Sequence, residues 1–404
     1  MRRIAVFTGN RAEYGLQYPL LRAIRDHQDL EYSLIVSGAH LDANFGRTRE
    51  EIESDGFQIS AEVAINLPED SLYATAHAIG TGTIGVADAL REIQPDILLV
   101  YADRFEGFAA VIAGSQMGIP TAHVEGGDLT EGGALDDSVR HAMTKLSHLH
   151  FTTNQQASNR ILAMGEEAWR VHTIGFPAID LIAAGEFATS DEVHKKLRVD
   201  PARPIIVYTQ HSVATEFKDA ADQIAPGLEA MRRLADEGCQ VILTYPNNDA
   251  GGNRIIEAIK TSNLDNVPGI IVRKSLGRWM YHGILGLALD PVRRVACVGN
   301  SSSGIKETPA FFCPAVDIGD RQAGRLRAEN VLQANYSVDS IYAATQKALF
   351  DDAFRSSVCE LENPYGSGDS GSKLTNVLSE VMLDARLIQK RMTLRGEIKS
   401  GWYQ

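Results

Sequence analysis

Apolar and polar positions alternate along this chain in a regular way: a short run of hydrophobic residues, a polar loop, then a longer amphipathic stretch. The apolar runs Ile4–Thr8, Tyr32–Ser37, Asp96–Tyr101, Pro120–His123, His150–Thr153 and Val171–Ile174 predict strands. Several are nearly continuous, as expected for parallel strands covered on both faces. Between them, Tyr18–Asp26, Ser71–Ile93, Phe105–Met117, Asp136–Ser147 and Gln155–Met164 carry helical periodicity. Such alternation specifies a doubly wound α/β sheet.

The pattern restarts near residue 204. Strands are expected at Ile205–Thr209, Gln240–Thr244, Gly269–Val272, Arg294–Val298 and Ala315–Ile318, with helices at Ala220–Asp236, Arg278–Leu289 and Ser303–Phe312. The organisation expected is therefore a domain over 1–182, a polar link over Ala183–Pro204, a second domain over 204–364, and a tail over 365–404. The tail's helical stretch, Ser372–Arg391, has no strand after it and is expected to pack back on the first domain. Two Rossmann-like domains facing across a cleft would offer the carboxyl ends of both sheets to a ligand.

Composition narrows the function. The chain has 404 residues and a net charge of -13, which argues against a nucleic-acid partner. Cys239, Cys297, Cys313 and Cys359 form no C-x-x-C pair and read as small buried hydrophobes of a reducing compartment. No apolar run approaches the roughly 18 residues of a membrane span. The apolar start after Met1 is too short for a signal peptide, being interrupted at Asn10, Arg11 and Glu13. The expected location is the cytoplasm.

Candidate chemistry falls where strands end. Gly9–Gly15, with Arg11, follows the first strand, the place for a phosphate or uridine contact. Asp103-Arg104-Phe105-Glu106 follows the strand ending at Tyr101. Glu125 lies just beyond the next strand, beside Gly126-Gly127, a pair that would let backbone approach a ligand closely. Asp136 and Arg140, spaced i,i+4, share one side of a helix start. Three carboxylates gathered in one place push their pKa values apart, supplying an acid and a base near neutral pH. In the second half, His211 and Pro246–Gly252 follow strands, and Gly299-Asn-Ser-Ser-Ser-Gly304 opens a helix with Lys306 and Glu307, a candidate phosphate cradle. Asp320–Arg327 adds positive charge after another strand. Gly80-Thr-Gly-Thr-Ile-Gly85 imitates a dinucleotide fingerprint, but helix precedes it where a strand is required, so a tightly packed helix is expected. His141, His148 and His150 do not match zinc spacing and are read as structural.

Taken in order, Gly9–Gly15, Asp103–Glu106, His123–Asp128, Asp136–His150, Pro246–Gly251, Gly299–Glu307 and Gly319–Val331 resemble the hydrolysing UDP-N-acetylglucosamine 2-epimerases of sialic-acid and legionaminic-acid pathways. The resemblance implies a glycosyltransferase-B-like α/β fold, a homodimer, and a UDP-sugar as ligand with neither metal nor nicotinamide cofactor. It implies conversion of UDP-N-acetylglucosamine and water to UDP and N-acetylmannosamine; a non-hydrolysing 2-epimerase, which shares the fold and the carboxylates, and a glycosyltransferase of the same fold are the rival readings. Asp103, Glu125 and Asp136 then match the acid/base positions, with Arg140 in support, and His211 matches a histidine near the diphosphate. Arg11, Arg104, Asn247, Ser301, Ser302, Glu307 and Arg321 match nucleotide contacts. The loop Asp128–Leu135 is longer than in the animal enzymes, which admits a 4-acetamido-6-deoxy sugar or a different nucleotide.

Overall fold

The computed structural model of the chain describes residues 1–41, 48–65, 71–129, 135–247 and 251–393. Residues 130–134 of the long loop and 248–250 of the segment after Pro246 lie outside the described residues. The chain divides into two compact units, one comprising Met1–Leu129, Leu135–Asp180 and Gly368–Gln404, the other comprising mainly Leu181–Ser367.

The first unit is a seven-stranded sheet, every strand paired in parallel. Its strands are β1 (Arg2–Thr8), β2 (Leu30–Ser37), β3 (Ile59–Val63), β4 (Ile97–Tyr101), β5 (Thr121–Val124), β6 (Leu149–Thr152) and β7 (Val171–Thr173), in the order β3-β2-β1-β4-β5-β6-β7. The run Ile4-Ala-Val-Phe7 shows why so apolar a sequence becomes a central strand. Ile4 and Val6 enter one core, with Leu20, Leu21 and Ile24 of the helix Arg11–Asp26, whereas Ala5 and Phe7 enter a second, with Val86, Leu90 and Ala110. Both faces are thus covered by helices. The tail helix Ser370–Glu380 places Leu374 and Leu378 in the first of these cores, packing back on this unit.

The second unit is a six-stranded parallel sheet: β8 (Ile205–Thr209), β9 (Gln240–Thr244), β10 (Ile270–Arg273), β11 (Val295–Gly299), β12 (Ala315–Ile318) and β13 (Val331–Ala334), in the order β10-β9-β8-β11-β12-β13. Ile206 and Tyr208 face one core and Ile205 and Val207 the other. The stretch 183–204, expected as a link, carries the helix Ser190–Leu197, whose Val193 and Leu197 are buried in this unit's core. A complete capping box at Thr189 and Glu192 starts that helix.

Both sheets run outward from a first strand and then reverse, the doubly wound order in which connections leave to opposite faces. The reversal lies between β1 and β4 in one unit and between β8 and β11 in the other. Sequence reading did not find β3 or β13. Both are edge strands, half-exposed, and lack the continuous apolar run of a central strand. The expected helix over Ser303–Phe312 is instead one α-turn, Ser303–Lys306, followed by the 3-10 turn Thr308–Phe311, so it offers little helix dipole. The fingerprint-like Gly80–Gly85 lies within the helix Leu72–Ile93, where a Cβ on Gly82 or Gly85 would crowd Ile65 or Val63. Cys359 is exposed, unlike the other three cysteines.

Candidate active site

In the first unit, the carboxyl ends of β1, β4 and β5 carry most of the predicted groups. The turn after β1 begins the helix Arg11–Asp26, with Asn10 as its cap accepting from the Glu13 backbone N–H at 3.0 Å. Arg11 is exposed and pairs with Glu51 at 2.8 Å. Glu13 is buried; its Oε1 accepts from Gly9 N–H at 3.3 Å and from Gln17 Nε2 at 2.8 Å. Burial first, then the neighbouring Glu106 carboxylate, push its pKa up to about 8 against the pull of Gly9, Arg104 and Gln17. Glu106 is also buried and receives both Nε and Nη2 of Arg104, at 3.3 and 3.2 Å. Burial would lower the Arg104 guanidinium, but Glu106, Glu13 and Asp136 together raise it.

Two strands here end on a non-glycine residue in left-handed backbone: Ala102 after β4, at φ 57°, and Glu125 after β5, at φ 65°. Such a conformation costs about 1–2 kcal/mol for an L-residue, and strain of this kind concentrates at functional sites. Strand β5 holds Ala102 from both sides. The Ala102 N–H donates to Val124 O at 2.9 Å, and His123 Nε2 donates to Ala102 O at 2.6 Å. A carbonyl can only accept, so the His123 proton is on Nε2 and Nδ1 accepts from the Thr144 hydroxyl at 3.1 Å. Burial holds His123 neutral, its pKa lowered to about 4.

Asp103 follows directly. It meets Arg140, which is buried and also donates from Nη1 to Asp137 Oδ1 at 2.9 Å and to the Asp128 carbonyl at 2.8 Å. Glu125 is nearly buried beside Tyr101, whose phenol is pushed far up by burial and then by that carboxylate. In the helix Leu135–Leu146, Asp137 pairs with Arg140 three residues further on, and Asp136 is exposed. The glycine pair has a different role from the one expected. Gly126 makes room for His123 and Thr144, and Gly127, at φ 76°, for the Ala157 backbone, so the space serves the protein's own packing. His148 and His150 are structural: His148 Nδ1 accepts from Thr121 N–H at 3.0 Å, and His150 Nε2 meets Glu166 at 3.1 Å.

In the second unit, Asn300 organises the ends of β8 and β11. It is buried; its Oδ1 accepts from His211 N–H at 2.6 Å, and its Nδ2 donates to His211 O at 2.9 Å. Its own carbonyl accepts from Arg321 Nη1 at 3.2 Å and Gln322 Nε2 at 2.8 Å. His211 Nδ1 accepts from Asn247 N–H at 3.0 Å, so a neutral ring carries its proton on Nε2. Gly299, at φ 135°, lies so close to β8 that a Cβ would fall on Thr209 O. Ser301 and Ser302 are half-buried in the loop after it. Glu307 is mostly buried, and its Oε2 accepts from both His282 Nε2 and Ser303 Oγ at 2.8 Å. Asp317, at the end of β12, is buried; burial raises its pKa to about 6 against the paired Arg327.

The structure thus gathers Asp103, Glu125 and Arg140 at the ends of β4 and β5, and His211, Asn247, Asn300 and Arg321 around β8 and β11. Asp128, Asp137, Asn300 and Gln322 lie within the stretches the sequence singles out but were assigned no role of their own. The acid three residues before Arg140 was the available signal for Asp137, since i,i+3 pairs also meet on a helix. Among the described residues, no group of three or more His, Cys, Asp or Glu side chains is arranged to hold a metal ion. Among them also, no helix is long and apolar enough to cross a membrane.

Comparison with known proteins gives a consistent result. The sequence profile described as UDP-N-acetylglucosamine 2-epimerase matches residues 22–379. A UDP-N,N'-diacetylbacillosamine 2-epimerase (hydrolyzing) of Legionella pneumophila is 32% identical over 390 residues, covering 96% of this chain and 99% of that protein. A UDP-N-acetylglucosamine 2-epimerase of Neisseria meningitidis is 31% identical over 370 residues, covering 92% of each. Among solved structures, a UDP-GlcNAc 2-epimerase from Neisseria meningitidis bound to UDP-GlcNAc shares the fold with a TM-score of 0.78 at 16% identity, covering 94% of this chain and 99% of that one.

Proposed function

Because the chain belongs to the UDP-N-acetylglucosamine 2-epimerase family, we propose that it is a hydrolysing 2-epimerase that converts UDP-N-acetylglucosamine and water to UDP and N-acetylmannosamine. The C2 proton of the sugar is barely acidic, so its removal must be coupled to departure of UDP from C1. The products of that step are UDP and a glycal. Water then adds across the double bond, hydroxyl to C1 and proton to C2 from the opposite face, which inverts C2.

The observation that carries this reading is the carboxylate group around Arg140. Asp103 lies at the sheet's reversal, in contact with a buried guanidinium, next to a backbone held in left-handed geometry. Asp103, Glu125 and Asp136 are the proton carriers in this account. Arg140 orients Asp103. In the second unit, His211 presents Nε2–H, and with Arg321, Ser301 and Ser302 it stabilises the charge that grows on the leaving diphosphate. Arg11, Arg104, Asn247 and Glu307 complete the nucleotide contacts.

A second substrate has a specific observation in its favour. The Legionella relative, matched over 96% of this chain, is described as acting on UDP-N,N'-diacetylbacillosamine. The same chemistry on a UDP-linked 2,4-diacetamido-2,4,6-trideoxyhexose changes only groups remote from C1 and C2. The test is UDP release from each sugar nucleotide, measured with no acceptor present. Release without acceptor supports the hydrolysing reaction, and the ratio of kcat/KM assigns the sugar. Release only on adding an acceptor, or a UDP-linked mannosamine as product, would refute it.

A further inference from the structure

The reaction as drawn leaves the end of the chain without a role, yet that segment is tightly anchored. Beyond the helix Ser370–Glu380, residues 384–393 return to the far end of the helix Leu135–Leu146. There Lys390 Nζ donates to the carbonyls of Thr144, Lys145 and Ser147, at 3.3, 2.8 and 2.5 Å. The last four carbonyls of a helix have no intrahelical partner, and a cation there also meets the negative end of the helix dipole. This cap comes from 246 residues further along the chain than Thr144.

The lysine itself is secured. Its charge is paired with Glu166 at 2.8 Å, and that buried carboxylate also receives His150 Nε2 at 3.1 Å and Lys145 Nζ at 2.5 Å. Arg170, fully buried, donates to the carbonyls of Leu387 and Arg386, both at 2.7 Å. Thr393 N–H donates to Gly165 O at 2.9 Å.

The capped helix is the one that carries Asp136, Asp137 and Arg140. Twelve residues span about 18 Å, so the position of its far end fixes where Arg140 meets Asp103. A second line runs from the same end. Thr144 donates to His123, whose other nitrogen holds the Ala102 carbonyl, one residue before Asp103. Lys390 therefore touches the element from which both supports of Asp103 depart.

We propose that Lys390 is a positioning residue for the proton-transfer site, holding the helix Leu135–Leu146 in the register at which Arg140 and His123 aim Asp103. This rests on the reading of Asp103 and Asp136 as proton carriers. The test uses the full chain with Lys390→Met, which keeps the apolar stem, and Lys390→Arg, which keeps the charge. Lys390→Met should lower kcat roughly tenfold or more. Calorimetry should find its UDP affinity within about twofold of wild type. Lys390→Arg should restore most of kcat. A lowered Tm with wild-type kcat, or equal losses in kcat and UDP affinity, would overturn the proposal. Should Lys390→Met not fold, Thr144→Val cuts the second line without changing shape, and a wild-type kcat there overturns it. Wild type assayed alongside separates the two claims. No UDP from wild type refutes the proposed function, whereas active wild type with an equally active Lys390→Met refutes the positioning role alone.

Discussion

Replacing Glu13 by Gln should make the protein more stable, and increasingly so as pH rises. Glu13 is buried in the turn after β1, with its pKa raised from 4.5 to about 8 by burial and by Glu106. An acid whose pKa is raised on folding contributes stability below its unfolded pKa and loses it as pH rises through the folded value. The folded chain must take up a proton that the unfolded chain gives away. At 1.36 kcal/mol per pH unit, the penalty is on the order of 1 kcal/mol at pH 5, about 3 at pH 7, and levels off near 5 above pH 8. Gln carries no such penalty, and its oxygen still accepts from Gly9 and Gln17. Urea denaturation of both proteins from pH 5 to pH 9, followed on the first unit's transition by hydrogen exchange, measures the difference. The stability gap should widen by about 2 kcal/mol or more between pH 5 and pH 7. A gap constant with pH, or a variant less stable at every pH, would refute the reasoning.

Ala102→Gly removes the Cβ from a left-handed residue, and relief of strain should outweigh the added freedom of the unfolded chain. The expected change is between neutral and about 1 kcal/mol stabilising by denaturation, whereas the usual loss for Ala→Gly would contradict the strain. Asp136→Asn and Asp137→Asn separate chemistry from structure. Asp136→Asn at an exposed site should leave Tm unchanged and UDP bound while turnover falls steeply. Asp137→Asn, beside the buried Arg140, should cost roughly 1–3 kcal/mol of stability. The opposite pattern in Tm and turnover would reverse the two roles.

The central strands were legible because parallel strands covered on both faces must be apolar throughout, as in Ile4–Phe7 and Ile205–Tyr208. The half-exposed edge strands β3 and β13 lack that signature. Candidate site residues were legible where a charged group follows a strand, as at Asp103, Glu125 and His211. What escaped depends on backbone geometry or distant contacts. Neither Ala102 nor Glu125 is a glycine, so nothing in the sequence announces their left-handed turns. Asp136 and Asp137 are adjacent, and nothing in the sequence says that Asp137 is the one buried against Arg140. The glycines beside Glu125 looked like room for a ligand but are filled by His123, Thr144 and Ala157. No local pattern links Lys390 to a helix end 246 residues earlier.

The claim underlying the proposed function is that proton exchange at C2 and loss of UDP belong to one reaction. It is tested most directly by proton NMR of UDP-N-acetylglucosamine incubated with the protein in deuterated water. The account predicts free N-acetylmannosamine with deuterium at C2, appearing in step with UDP. UDP released with an unlabelled, uninverted sugar, or deuterium entering a sugar still joined to UDP, would contradict it.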